Sequence, residues 1–403
     1  MPVASIEDVL PIAIITIKGG KEMKKKLITL VLCSMFAALT VTGCGGQKAG
    51  ADGGSAKGLN IAIVSSPSGV DDGSFNQDNY NGILSFIEEH PESKVTPVKE
   101  PTGDTAACIK TVNDIVADYD VIVCDGFQFA GIGEVAQENP DKKFILVDSA
   151  PSDPDGNEIE VENIYAMTFK EQDGGFLAGI AAALNTQTGK VAVVNGIAFP
   201  SNVNYQYGFM SGVNYSNKHF GTSAEIVELS SYAGTDVTGA NVGGNYVGSF
   251  ADPAAGKVVG EALIKEGCDI IFVAAGSSGN GVFTAVKESS EKDFVIGCDT
   301  DQYDDGANGS ENVILTSALK IMGANDKRVL GTVLDGSFKG GNYVLGAESD
   351  SVGYVSASGR CQLAADQIEK IDKAYQLVKD GKIVPAANFN GLTPDNFTGI
   401  DVE

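Results

Sequence analysis

The sequence is poor in the residues that most often carry enzymatic chemistry at neutral pH. Its 403 residues include two histidines, His90 and His219, in stretches typical of helix ends and without a suitable partner nearby. A Ser-His-Asp triad or a histidine-ligated metal site is therefore not expected. Of the seven cysteines, none of the five after Cys44 forms a Cys-x-x-Cys pair, so no metal and no cofactor is indicated. An enzyme that works with carboxylates alone stays open.

Basic residues are also scarce. The chain has 28 lysines and arginines against 53 aspartates and glutamates, a formal net charge of −25. Removing residues 1–43 takes away five lysines and three acids, which brings the charge to −27. A surface this acidic repels phosphate backbones, which argues strongly against nucleic acid and weakly against anionic substrates. The partner is expected to be neutral or cationic, or to be recognised by a few specific contacts.

The apolar run near the start is too short for a comfortable membrane span. Three lysines precede Leu27 to Val41, and the chain then reads Val41-Thr42-Gly43-Cys44. Such a pattern is typical of a bacterial lipoprotein signal, in which the cysteine receives diacylglycerol and becomes the mature N-terminus. Cys44 is thus the predicted lipidation site, and Met23 is the predicted start. This places the protein at the cell membrane, lipid-anchored on its extracytoplasmic face. An ordinary buried helix is the competing interpretation.

After the signal, apolar runs of strand length alternate with segments of helical spacing. The first series runs from Leu59–Val64 to Ile164–Phe169, and the second from Val191–Val194 to Phe294–Gly297. Continuous apolar strands separated by helices indicate parallel sheets that are covered on both faces. The predicted fold class is therefore α/β, with two doubly wound parallel-sheet lobes, a cleft between them and a hinge of several crossings.

The predicted organisation has six parts. They are an upstream segment (1–22), the signal peptide (23–43), a flexible tether (44–58), lobe 1 (59–170, with a return near 300–322), lobe 2 (171–299, with a return near 323–380) and a C-terminal tail (381–403).

Loops after predicted strands carry the densest polar and aromatic groups. In the first of them, Asp72 or Ser74 is suited to cap the following helix, and Phe75 would project a ring at the helix N-terminus. Asp148 and Asp299 each end a strand pattern, where they either face a ligand or only cap a turn. Alternatively, Phe75 belongs to the hydrophobic core and Phe250 is hydrophobic lining.

The segment from Asp71 to Gln77 resembles the Asp-Asp-x-Ser-Phe-Asn-Gln signature of the basic membrane protein (BMP) family, lipoproteins similar to purine nucleoside receptor A. Six further stretches are similar in the same order: Phe144 to Asp148, Gly174 to Gly179, Gly248 to Asp252, Ala274 to Gly281, Gly297 to Gln302 and Thr316 to Lys320. Together they span nearly all of the chain after the tether.

The resemblance implies a type I periplasmic-binding-protein fold that serves as the substrate receptor of an ABC importer of nucleosides. The implied partners are a nucleoside ligand, an ABC permease with its ATPase, and the membrane through the lipid anchor. No nucleic acid is implied, and the protein is expected to be a monomer without catalytic residues.

The same resemblance assigns roles to individual residues. Phe75 and Phe250 would hold the base between two rings, a contact worth about 1 to 3 kcal/mol per base. Asp148 and Asn76 would bind the base edge. In the implied set, Asp299 and Lys320 hold the ribose hydroxyls, the backbone at Gly276 lies close to the ligand, and Asp72 completes the site.

Three other functions stay open on the residues themselves. Rings and carboxylates also suit a sugar or another small polar metabolite. An anchored nucleoside hydrolase that uses acidic residues is a second alternative, and a surface adhesin or sensor is a third.

Overall fold

Two six-stranded sheets organise residues 58–403, the part of the chain that the computed structural model describes. The predicted signal peptide, Cys44 and all but the last residue of the predicted tether lie outside the described residues. The strands are Asn60–Ser65 (β1), Lys94–Lys99 (β2), Val121–Asp125 (β3), Lys143–Val147 (β4), Ile164–Phe169 (β5), Lys190–Asn195 (β6), Glu225–Ile226 (β7), Gly234–Thr235 (β8), Asn241–Gly243 (β9), Ile270–Ala274 (β10), Phe294–Asp299 (β11), Ala307–Asn308 (β12), Glu311–Asn312 (β13), Ile314–Lys320 (β14), Gly341–Leu345 (β15) and Val352–Tyr354 (β16).

The helices lie between these strands and cover both sheets. They are Phe75–Glu89 (α1), Thr105–Ile115 (α2), Gly133–Glu138 (α3), Glu171–Asn185 (α4), Pro200–His219 (α5), Pro253–Lys265 (α6), Gly279–Glu288 (α7), Met322–Asp335 (α8) and Ala365–Lys379 (α9). Short 3-10 turns occupy Val116–Asp118, Phe127–Ile132, Ser230–Tyr232, Gly276–Ser278, Tyr303–Gly306 and Ala347–Ser349.

The first sheet is parallel throughout, in the order β15-β5-β4-β3-β1-β2. Alternate residues of its strands enter separate cores: Ile61 and Ile63 pack on one face, Ala62 and Val64 on the other. A sheet buried on both faces needs strands that are apolar at every position, which explains the continuous apolar runs in the sequence.

The second sheet repeats this architecture in the order β16-β14-β11-β10-β6-β7. Its strands are parallel except for β16, which pairs antiparallel with β14. The predicted α/β class with two parallel-sheet lobes is confirmed.

The predicted returns of the chain are wrong for two strands. β14, inside the predicted return to lobe 1, pairs with β11 in the second sheet, and β15, inside the predicted return to lobe 2, pairs with β5 in the first. The helix between them, α8, was not predicted and belongs with lobe 1: a Cβ on Gly82 of α1 would come within 2.1 Å of the Gly323 carbonyl oxygen. An apolar strand pattern does not encode which sheet the strand joins, and the partner of β15, β5, is remote in sequence.

The chain therefore passes between the lobes three times, after β5, after β14 and between β15 and β16. Asp173 lies near the first crossing and Ala347 near the third. The backbone N–H of Ala347 donates a hydrogen bond to the Asp173 carboxyl group at 3.2 Å. Several connections at one place favour a hinge over free movement of the lobes.

Asp173 should make the protein less stable as pH rises. Burial raises the pKa of this carboxyl from 3.8 to about 7, so the folded protein keeps a proton that the unfolded chain releases between these values. The free energy of unfolding should fall through that window. Asp173→Asn should flatten the fall, and at pH 7 should gain at least about 1 kcal/mol over wild type, since one pKa unit corresponds to about 1.4 kcal/mol.

Urea unfolding at pH 4.5, 6 and 7.5 measures this slope. Asp335→Asn is the control, because Asp335 is exposed and its neighbour Ser337 lowers the pKa of its carboxyl. Identical slopes for wild type and Asp173→Asn would contradict the assignment.

Candidate functional site

A cavity lies between the lobes, at the carboxyl ends of the strands of both sheets. Ligands of α/β sheets bind at this edge. All eight residues predicted to bind ligand line it: Asp72, Phe75, Asn76, Asp148, Phe250, Gly276, Asp299 and Lys320. The structure thus brings the predicted set together, while the contact of each with a ligand stays a prediction.

Phe75 and Phe250 enter the cavity from different lobes. Phe75 is the first residue of α1, and Phe250 precedes α6. The Phe250 ring lies against Gly196, where a Cβ would come within 2.2 Å of the ring. Gly276 has φ +53°, and a Cβ there would lie 3.2 Å from the Phe250 carbonyl oxygen. The backbone at Gly276 therefore supports the segment that carries the second ring.

Two aromatic residues that the sequence analysis missed also line the cavity. Phe127 of lobe 1 and Phe199 of lobe 2 meet across the cleft, with ring centroids 5.1 Å apart, and Phe199 lies 6.0 Å from Phe250. Their positions in the sequence could have indicated them, because Phe127 comes two residues after β3 and Phe199 directly precedes α5.

Lys320 is the centre of a buried charge cluster, with only 2% of its surface exposed. Its Nζ lies 2.6 Å from Asp148 Oδ2 of the opposite lobe and 3.2 Å from Glu171 Oε1. The same nitrogen lies 5.2 Å from the centroid of the Phe75 ring, within the range of a cation–π contact. Glu171, the first residue of α4, was not predicted, because nothing in its local sequence marks it as a partner of Lys320.

The opposite charges of this cluster stabilise one another. Burial by itself would lower the pKa of Lys320, but the carboxylates of Asp148, Glu171 and Asp299 raise it above its ordinary value. Burial raises the pKa of Asp148, and the Lys320 ammonium opposes that rise. Because removing one partner leaves a buried uncompensated charge, the cluster depends on all its members.

Asp299 makes a second connection between the lobes. Its Oδ2 accepts a hydrogen bond from Ser74 Oγ of lobe 1 at 2.9 Å, and its Oδ1 accepts one from Tyr205 OH at 3.2 Å. Asp299 and Asp148 have φ of +68° and +63°. A left-handed backbone costs energy in a non-glycine residue and is concentrated at functional sites.

Asp72 acts within its own loop. Its two oxygens accept hydrogen bonds from the backbone N–H groups of Ser74, Asn76 and Gln77, and from the Asn76 amide at 2.7 Å. Of the two caps considered from the sequence, the Asp72 side chain satisfies these N–H groups, and the Ser74 hydroxyl instead reaches Asp299. Asp72 therefore positions Asn76 in the cavity wall.

Further hydrogen bonds cross the cleft. Ser68 Oγ donates to the Phe250 carbonyl at 3.1 Å, and Gln302 Nε2 donates to the Gly73 carbonyl at 3.0 Å. With the contacts of Lys320 and Asp299, these bonds hold the lobes in a closed arrangement. Among residues 58–403, no helix is both long and apolar enough to cross a bilayer.

Two α/β lobes, joined by three crossings around a polar and aromatic cavity, have the architecture of a two-lobe ligand-binding protein. The chain belongs to the Bmp family, described as ABC transporter substrate-binding protein PnrA-like, whose model matches residues 60–387. The predicted family is confirmed. A protein of this class works with a ligand and with a permease and its ATPase.

Similar proteins cover almost the whole chain. The CD4+ T-cell-stimulating antigen of Listeria innocua is 31% identical over 380 residues, covering 90% of this chain and 98% of that protein. The ABC transporter nucleoside-binding protein BmpA of Lactococcus lactis is 27% identical, covering 90% and 99%. An ABC transporter solute-binding protein from Aeropyrum pernix K1 matches with a TM-score of 0.68 at 23% identity, covering 83% and 94%. The structural match confirms the predicted periplasmic-binding-protein fold.

Proposed function

We propose that this chain is the lipid-anchored receptor of an ABC importer and that it captures a nucleoside, of the purine class, in the interlobe cavity. The observation that carries the proposal is an interlobe cavity with a phenylalanine from each lobe and a polar wall between them. A flat, neutral, hydrogen-bonding guest fits such a wall. The similarity to BmpA of Lactococcus lactis, a nucleoside-binding protein by name, supports the same class of ligand.

Each part of a nucleoside has a suitable counterpart. Phe75 and Phe250 cover the faces of the base, because stacking on aromatic rings tolerates different bases. Asn76 and Asp148 face its edge. Asp299, with Lys320 nearby, supplies acceptors and a donor for the ribose diol, as the family resemblance implies.

The charge of the cavity favours a nucleoside over a nucleotide. Lys320 is the cationic side chain among the described residues of the lining, and the carboxylates of Asp148 and Glu171 already hold it. A phosphate group would meet Asp72, Asp148 and Asp299 without a free cation. Repulsion between like charges at close range disfavours such a guest.

Binding and closure are coupled in this proposal. Ring contacts from both lobes and the bonds of Asp299 and Lys320 form together only when the cleft is shut. A ligand that binds the closed state better shifts the population toward it, which presents one shape to the permease.

Isothermal titration with adenosine, guanosine, inosine and uridine tests the proposal. We expect purine nucleosides to bind, and the matching 5′-monophosphates to bind at least about 10-fold more weakly because of the acidic wall. Titration with ribose and with hexoses covers the sugar alternative. Absence of binding by every nucleoside, together with binding of a sugar, would refute the proposed ligand class.

Two further measurements address the remaining parts. Chromatography after long incubation with inosine should show no free hypoxanthine, whereas release of base would indicate a hydrolase. Mass spectrometry of the protein from membranes should find Cys44 as a diacylglyceryl-modified N-terminus. Light scattering of the protein without its lipid should give a monomer. An unmodified Cys44 would contradict the anchor.

A further inference from the structure

Asp125 is a buried carboxyl that the family resemblance did not assign to the site. It is the last residue of β3, has 0% of its surface exposed and lines the interlobe cavity. Neither of its side-chain oxygens has a hydrogen-bond partner among the described residues. A buried polar group without a partner costs free energy, and such groups in native proteins call for an explanation. A ligand in the cavity is the partner that the position of Asp125 allows.

Four other carboxyl groups lie near Asp125. Burial raises its pKa well above the usual value, and the carboxyl groups of Asp326 on α8, Asp72 before α1, Asp148 after β4 and Asp78 on α1 raise it further. Burial without a hydrogen-bond partner disfavours the charged form, so the protonated form of this carboxyl is favoured. A protonated carboxyl offers one O–H donor beside one carbonyl acceptor.

Two more oxygens in the same wall lack partners. Asn76 uses its amide nitrogen to donate to Asp72 Oδ2 and to Ser66 Oγ, which leaves Asn76 Oδ1 free. Asp148 uses Oδ2 for Lys320 and leaves Oδ1 without a partner. Among the described residues of the lining, the buried side-chain atoms without partners are all oxygens, on Asn76, Asp125 and Asp148.

These atoms define the hydrogen-bonding pattern of the guest. With Asp125 protonated, the wall presents three acceptors and one donor, so it fits an edge with one carbonyl and three N–H hydrogens. Guanine has such an edge in its 6-oxo group, its ring N–H and its 2-amino group. Hypoxanthine lacks the amino group, and adenine lacks the carbonyl and the ring N–H.

We infer that Asp125 is a further base-recognition residue, which pairs with the 6-oxo and ring N–H groups of a purine, while Asn76 and Asp148 accept its 2-amino group. The inference rests on the proposed function and deepens it, because it makes guanosine the preferred nucleoside.

Titration of guanosine, inosine and adenosine into the full chain tests both parts. Wild type should bind guanosine about 10-fold tighter than inosine, since a site built for a hydrogen-bonding group discriminates against an analogue that lacks it. Asp125→Ala should lower the affinities for guanosine and for inosine by the same factor, about 10-fold or more, because both ligands lose the same pair of hydrogen bonds. Asp125→Asn should bind nearly as wild type, because an amide also offers one donor beside one acceptor.

Asp326→Ala is the matched control. Asp326 is equally buried, its oxygens also lack partners among the described residues, and it does not line the cavity. Burial raises the pKa of Asp326 as well, so its replacement removes little charge near Asp125 and should leave all three affinities unchanged. Thermal unfolding should show each variant folded.

The outcomes separate this inference from the proposed function. If wild type binds no nucleoside, the proposed function fails and the inference with it. If wild type binds nucleosides but Asp125→Ala binds guanosine equally well, or Asp326→Ala weakens it as much, Asp125 has no role in recognition. If inosine binds as tightly as guanosine, the 2-amino contact is refuted.

Discussion

Replacing Lys320 with methionine should both destabilise the protein and remove nucleoside binding. The change keeps the length and apolar character of the side chain but leaves the carboxylates of Asp148 and Glu171 buried without their cation. Breaking a buried ion pair by removing one partner costs about 3 to 5 kcal/mol. Urea unfolding should therefore show a lower midpoint, and titration with a purine nucleoside should show no measurable heat.

Lys327→Met is the matched control for this substitution. Lys327 lies on α8, pairs with Glu89 at 2.7 Å and keeps 31% of its side chain exposed. An exposed pair of this kind contributes about 0 to 1 kcal/mol, so stability and binding should change little. A Lys320→Met protein that unfolds at the wild-type midpoint and binds nucleoside would disprove the role of the cluster.

Replacing Asp299 with asparagine should weaken the binding of ribosides by about 10- to 100-fold, because an unsatisfied buried polar group costs about 1 to 3 kcal/mol. Asparagine tolerates the positive φ of this position and keeps the shape of the side chain. The asparagine amide has a donor group in place of one acceptor oxygen. Either Ser74 Oγ or Tyr205 OH therefore loses its acceptor, and the ribose loses one as well. Titration with inosine and with free hypoxanthine measures the effect, and the affinity for the free base should change far less.

Two comparisons make this result specific. Asp350 has φ +54° and lies near the third crossing, outside the cavity lining, so Asp350→Asn repeats the same chemical change on the same backbone conformation without touching the site. Phe250→Leu should cost less than Asp299→Asn, because an aliphatic side chain still covers the base. Equal small losses from Asp299→Asn and Phe250→Leu would contradict the ribose assignment.

Both substitutions remove a contact that holds the two lobes together in the closed arrangement. Lys320 reaches Asp148 across the cleft, and Asp299 reaches Ser74 across it. Each contact exists only when the lobes are shut, so each variant weakens closure as well as ligand contact. Small-angle scattering with and without nucleoside should therefore show less compaction for both variants than for wild type.

Local sequence patterns predicted much of the fold and the membership of the site. Continuous apolar runs predicted two parallel sheets, since such runs are stable only when both faces are covered. Residues 253–265 have helical spacing in the sequence, and the structure forms α6 there, Pro253–Lys265. The eight residues that the family resemblance assigned to the site all line one cavity, where the carboxyl ends of parallel strands meet at one edge of each sheet.

The tertiary structure decided the pairings. β15 pairs with β5, and Lys320 meets Asp148, across more than 100 positions of sequence, whereas β14 stays with β11 in the second sheet. Glu171 and Asp125 carry no local mark of their surroundings, because a carboxylate acquires its burial and its partners only from the packed lobes. Sequence thus determined which groups reach the cleft, and packing decided which of them satisfy one another and which are left for a ligand.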